Sequence, residues 1–131
     1  LDKVHEINDR HGSQAGDQVI ITTAEILRSV MRSGDIAARL SGDEFAVLLP
    51  DTDVDEAKMV ADRIRETVEV RQVQVPVSPG ALEKTTIGIR TSIGIAVAPD
   101  HAETVESLVF VSDSALRKAK GLGRNRVEVA G

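Results

Sequence analysis

The segment Leu40-Ser41-Gly42-Asp43-Glu44-Phe45 sets two adjacent carboxylates behind a glycine and ahead of the apolar run Phe45 to Leu49. On a straight strand neighbouring side chains point to opposite faces, so Asp43 and Glu44 could not share a ligand there. In a tight turn both can reach one side, and Gly42 accepts a positive φ without steric cost. Two hard carboxylate oxygens at a hairpin tip suit Mg²⁺, which is held by one or two carboxylates and leaves room for phosphate oxygens. The plainer alternative is that Ser-Gly-Asp-Glu is a solvated turn.

Six other residues could do chemistry, and each has an ordinary reading. Asn8 reads as a turn residue, and Asp17, directly before Gln18, as a helix N-cap. Lys120 and Arg124 read as cations at a helix C-terminus. Arg32 and Asp35, in Arg-Ser-Gly-Asp, read as an ion pair at an exposed helix end.

The elements that must position these residues follow from hydrophobic spacing. Residues 18–33 put Ile20, Ala24, Leu27 and Met31 on one face, which predicts an amphipathic helix stopping near Ser33-Gly34. Residues 35–40 and 45–50 read as two strands joined by Ser41 to Glu44. A second helix starts at a capping-box-like Thr52 and Asp55 and buries Ala57, Val60, Ala61, Ile64 and Val68. Residues 73–77 and 85–98 read as strands on either side of a turn-rich segment. Thr104 caps a third helix whose inner face is Leu108, Val111, Ala115 and Ala119. Gly121 and Gly123 end it, and residues 126–130 form a last edge strand. The order helix, hairpin, helix, hairpin, helix, strand predicts an α+β sheet flanked by helices.

The composition bounds the function. A chain of 131 residues suits one domain. Hydrophobic residues make up 41%, but there is no Trp or Tyr and only Phe45 and Phe110, so the core must be aliphatic. A net charge of −5 disfavours nucleic acid as a partner. Without cysteine, disulfide frameworks and zinc–thiolate sites are excluded. No apolar stretch approaches a membrane span and no signal peptide is visible, which predicts a cytoplasmic segment without membrane contact, whether or not the protein is anchored elsewhere.

Four segments, in order, carry a resemblance: LDKVHEINDRHGSQAGD (1–17), RLSGDEFAVLLP (39–50), TSIGIAVA (91–98) and AKGLGRN (119–125). Together they resemble the GGDEF domain family, the diguanylate cyclases. The resemblance implies a palm-like (ferredoxin-like, nucleotidyl cyclase) fold with an antiparallel-rich central sheet and the signature on a β-hairpin turn. It implies condensation of two GTP into cyclic di-GMP with release of pyrophosphate, Mg²⁺ or Mn²⁺ as cofactor, and a homodimer for catalysis. Asp43 and Glu44 match the acidic metal-site residues, Asn8 and Asp17 the guanine-reading pair, and Lys120 and Arg124 the phosphate contacts. Arg32 and Asp35 match an RxxD site for product inhibition. An attached sensor or phosphodiesterase domain is an expected partner. The other reading is a degenerate module that binds GTP or cyclic di-GMP and regulates an attached domain.

The sequence departs from the family pattern in places. Ser41 stands for the first signature glycine, Val4-His5 for Phe-Lys, Ser13 for a common His, and Arg117 for a Tyr. Leu1 and Asp2 match the second and third positions of an Asp-apolar-Asp pattern. The first Asp, a metal ligand in the family, would precede Leu1, which itself would offer only its backbone carbonyl. Residues 1–131 are thus expected to form one GGDEF-type domain lacking its N-terminal helix and most of the first strand.

Overall fold

The structure is a computed structural model describing residues 1–131. Its elements are α1 (Val4–His11), α2 (Ser13–Val30), β1 (Ile36–Ser41), β2 (Glu44–Leu48), α3 (Val54–Val70), β3 (Gln72–Pro76), β4 (Lys84–Gly88), β5 (Ile93–Ile95), α4 (Val105–Gly121) and β6 (Val127–Val129).

Several helical features differ from the expectation, among them α1 itself. Asn8 lies within α1 and Asp17 within α2, so neither is a turn or cap residue. α2 begins at Ser13 and ends at Val30, ahead of the expected stop at Ser33-Gly34. Its buried face is Ala15, Val19, Thr22, Thr23, Ile26 and Leu27, rotated from the predicted stripe, and Ile21 faces solvent. The rotation arises because threonines share the buried face. Thr23 is satisfied there by donating its hydroxyl to the Val19 carbonyl at 2.8 Å, so burial leaves no unpaired polar group. The α3 stripe is as expected at Ala57, Ala61, Ile64 and Val68. Its cap is Asp53, whose carboxylate accepts from Glu56 N–H at 2.8 Å. Thr52 instead donates its hydroxyl to the Pro50 carbonyl. Thr104 caps α4 as expected, accepting from Ser107 N–H.

The strands form three two-stranded ladders: β1–β2 and β3–β4 antiparallel, β5–β6 parallel. The α+β, antiparallel-rich, palm-like class is the one found. The expected continuous strand over 85–98 breaks in two, because the chain leaves β4 at Gly88 and joins β6 from Ile93. Between them the Arg90 carbonyl accepts from Asp2 N–H at 2.9 Å. Leu1-Asp2 thus runs between the β1–β2 hairpin and the 90–92 segment.

Two apolar clusters hold the elements. One joins Val4, Val19, Ile26 and Leu27 to Ile64, Val68, Val73, Val75 and Ile89. The other joins Ala57 and Ala61 to Ile95 and Val97. α3 supplies side chains to both, its N-terminal half to the second and its C-terminal half to the first. α4 lies on β5 so closely that a Cβ at Gly94 would overlap the Ser112 carbonyl and Leu116 N. That contact fixes how α4 seats on β5, and so helps to place the helix end that carries Lys120.

Candidate active site

The signature forms the tip of the β1–β2 hairpin. Ser41 pairs with Glu44, so Gly42 and Asp43 make a two-residue turn with Gly42 at φ 33°. Arg39 Nε donates to the Gly42 carbonyl at 2.8 Å and braces the turn. Asp43 and Glu44 are half-buried. The Leu1 amine donates to the Asp43 carbonyl at 2.8 Å, which brings the Leu1 backbone against the tip. Asp43, Glu44 and Lys120 all lie near enough to the Leu1 nitrogen to act on it electrostatically, although 76 residues separate Glu44 from Lys120. No group of three or more His, Cys, Asp or Glu side chains forms a ready metal cage.

Asn8 and Asp17 are carried by α1 and α2, which pack together. Asn8 Oδ1 is buried without a hydrogen-bond partner. It lies against Gly16, where any side chain would overlap it. Gly16 is therefore the residue that admits the Asn8 amide, and Asp17 follows it directly. His11 Nδ1 lies 2.9 Å from the Pro76 carbonyl and ties the end of α1 to β3.

α4 terminates in a Schellman arrangement. Arg124 N–H donates to the Ala119 carbonyl at 3.0 Å and Gly123 N–H to Lys120 at 3.4 Å. Gly123, at φ 122°, takes the position where an L side chain is strained. Lys120 sits in the last turn of the helix and Arg124 just beyond it. A cleft of about 450 Å³ opens beside this loop, lined by Asp2, Lys3, Glu6, Arg10, Arg124 and Asn125 among others. Asp43, Glu44, Asn8, Asp17 and Lys120 do not line it.

Arg32 and Asp35 lie at the other end of β1, away from the tip. Arg32 N–H donates to Asp35 Oδ2 at 2.8 Å, and its guanidinium Nε is 3.5 Å from the same oxygen. A guanidinium N–H also donates to Thr52 Oγ1 at 2.9 Å. The Arg32 side chain is half exposed, but that of Asp35 is only 3% exposed.

The structure brings Asp43, Glu44, Leu1 and Lys120 to one place, seats Asn8 against Gly16, the residue before the exposed Asp17, and sets Arg32 and Asp35 apart. Two supporting residues were missed from the sequence. Gly16 could have been noticed as a glycine early in a helix, where it costs stability and needs a packing reason. Arg39 carried no signal, since its bond depends on the bulge between Arg39 and Ser41.

An α+β fold with an acidic hairpin tip set against a Lys-bearing helix end defines a nucleotidyl-cyclase-like, palm-type domain. The chain belongs to the GGDEF family: the family model "Diguanylate cyclase, GGDEF domain" matches residues 1–126. It is 40% identical over 129 residues to the "Probable diguanylate cyclase DgcT" of Escherichia coli, covering 98% of this chain and 27% of that protein. Among solved structures, the GGDEF domain of TpbB (YfiN) from Pseudomonas aeruginosa is similar with a TM-score of 0.89 and 35% identity, over 99% of this chain and 72% of that one. The GGDEF domain of DgcB from Caulobacter crescentus, in complex with c-di-GMP, is similar with a TM-score of 0.79 and 31% identity, over 98% and 72% of the two chains. The chain spans about a third or less of the curated relatives it matches.

Proposed function

We propose that the chain is the catalytic domain of a diguanylate cyclase, which condenses two GTP into cyclic di-GMP and releases two pyrophosphates. The observation that carries this is the convergence of Asp43, Glu44, the Leu1 backbone and Lys120. In each half-reaction a 3′-hydroxyl oxygen bonds to the α-phosphorus of the other GTP. The bond from that phosphorus to its pyrophosphate breaks, and the hydroxyl proton is released. Each domain holds one GTP, so two copies facing each other complete the symmetric product.

The donor set at the tip is two carboxylates and one carbonyl, all hard oxygens, and this fits Mg²⁺ or Mn²⁺ with phosphate oxygens completing the shell. When bound by Asp43, Glu44 and the Leu1 carbonyl, the ion supplies charge neutralisation on the triphosphate and a lowered hydroxyl pKa. The side chains bind and orient. The Asp17 carboxylate accepts from the two adjacent donors of the guanine edge, N1–H and the exocyclic amine. Asp17 is exposed in the free protein; once a base covers it, adenine would face it with an acceptor, and a polar group left unpaired under the base costs about 1–3 kcal/mol. Asn8, already holding an unpartnered buried oxygen, completes the guanine-reading pair. Lys120 supplies a point charge and Arg124 a planar fork for the β- and γ-phosphates. Asp43 acts as a ligand and not as the base, because a metal-bound carboxylate is a weak base.

Arg32 serves product feedback. Its exposed guanidinium is oriented by Asp35 and Thr52, and the product's guanine and phosphate are the groups it would grip. Asp35 braces Arg32 in the free protein.

The test uses the full-length protein with GTP and Mg²⁺, with product read by chromatography. Asp43→Ala and Glu44→Ala are each expected to lower turnover by at least about a hundredfold. If the wild-type dimer binds GTP but yields no cyclic di-GMP, the enzyme reading gives way to the binding module.

A further inference from the structure

Asp2 is a buried acid that the proposed chemistry leaves without a task. It is 7% exposed and forms none of the ion pairs in the structure. Both of its carboxylate oxygens are nevertheless hydrogen-bonded. Oδ1 accepts from Ser92 Oγ at 2.7 Å, and Oδ2 accepts from Asn125 N–H at 3.1 Å. Its own N–H donates to the Arg90 carbonyl at 2.9 Å. One side chain thus pins the start of β5 and the loop after α4, which lies 123 residues away in sequence.

That loop needs pinning. Gly123, Arg124 and Asn125 are three consecutive residues at positive φ, of 122°, 64° and 48°. The last two are not glycine, and side-chain-bearing residues persist there only where their surroundings over-determine the backbone. The Schellman bond from Arg124 N–H holds one side of the turn, and the Asp2 carboxylate holds the next amide. The backbone of Arg124, between them, is held by both.

We propose that Asp2 is a positioning residue: through the Asn125 amide it holds the left-handed turn that presents Arg124, and so sets the affinity for the triphosphate. This rests on the proposed role of Arg124 as a phosphate contact, whereas the clamp itself rests only on the hydrogen bonds. The carboxylate works as a pair of acceptors and not as a charge. An asparagine at position 2 can keep its oxygen on Asn125 N–H and turn its amide toward Ser92 Oγ, since a hydroxyl accepts as readily as it donates. An alanine loses both bonds.

The experiment uses the full-length protein, a non-hydrolysable GTP analogue and amide hydrogen exchange. Asp2→Ala is expected to weaken analogue binding about tenfold and to expose the Asn125 amide to exchange. Asp2→Asn should recover binding to within about threefold of wild type and keep that amide protected. In an Arg124→Ala background Asp2→Ala should change affinity by less than about twofold, because the path through Arg124 is already gone. Three results would each overturn the proposal: asparagine as damaging as alanine, an equal loss in both backgrounds, or an Asn125 amide that stays protected in Asp2→Ala. If Asp2→Ala does not fold, Asp2→Asn decides, since its loss of affinity or of Asn125 protection refutes the hydrogen-bond account. If the wild-type protein fails to bind the analogue, the phosphate reading and the affinity claim fall together. The exchange arm then still judges the clamp separately.

Discussion

Gly16→Ala tests how the guanine-reading pair is built. On an exposed helix, replacing glycine with alanine stabilises by about 1 kcal/mol. At Gly16 the new methyl would overlap Asn8 Oδ1, so the amide must move. Overpacking of this kind costs about 1–3 kcal/mol. The two terms leave a net loss of about 1 kcal/mol, or about 4 °C in Tm for a chain of this size. In an Asn8→Ala background the obstruction is absent, and the same substitution should gain about 1 kcal/mol. The sign therefore reverses, with a coupling of about 2 kcal/mol between the positions. Asn8→Ala alone should not destabilise, because it removes a buried acceptor that has no partner. Urea unfolding of the four proteins measures the cycle, and titration with a GTP analogue measures the function. Affinity should fall about tenfold or more in Gly16→Ala as the Asn8 amide is displaced. If Gly16→Ala stabilises equally in both backgrounds and binds the analogue as the wild type does, Asn8 is not seated against Gly16 and the geometry proposed for the pair is wrong.

Other perturbations separate the remaining contacts. Arg32→Ala should raise the cyclic di-GMP concentration that inhibits turnover by about tenfold or more, and isothermal titration should show weakened product binding; unchanged product affinity rejects the RxxD reading. Asp53→Ala removes the carboxylate that accepts from Glu56 N–H and should cost about 1 kcal/mol in urea unfolding, whereas Thr52→Ala, which is not the cap, should cost α3 less. Arg39→Ala frees the Gly42 carbonyl and should lower turnover while leaving the unfolding midpoint nearly unchanged, since the bond is exposed and local to the tip.

Much of this was present in local pattern. The acids of the signature, the α3 stripe, the Thr104 cap and the hairpin at Gly42-Asp43 all depend on residues within a few positions of one another. Periodicity and turn chemistry act at that range, so they could be read directly. The family resemblance added the pairing of distant motifs, and the match over residues 1–126 bears out the family. α1 was missed because its residues, Val4 to His11, are mostly polar and it has no side-chain cap. What makes it a helix is packing on α2 and the tie from His11 to Pro76, both of which are tertiary.

From the sequence alone came the chemistry available: hard oxygens at a glycine turn, two cations at a helix end, an aliphatic core and no thiols. Only the fold decided which of those groups meet. Burial of Thr22 and Thr23 rotated α2, the absence of a side chain at Gly94 let α4 settle on β5, and the carboxylate of Asp2 joined the first residues of the chain to nearly the last. Such contacts link residues about 20 to 120 positions apart. No local periodicity encodes them, because their energy appears only once the chain has closed around the core.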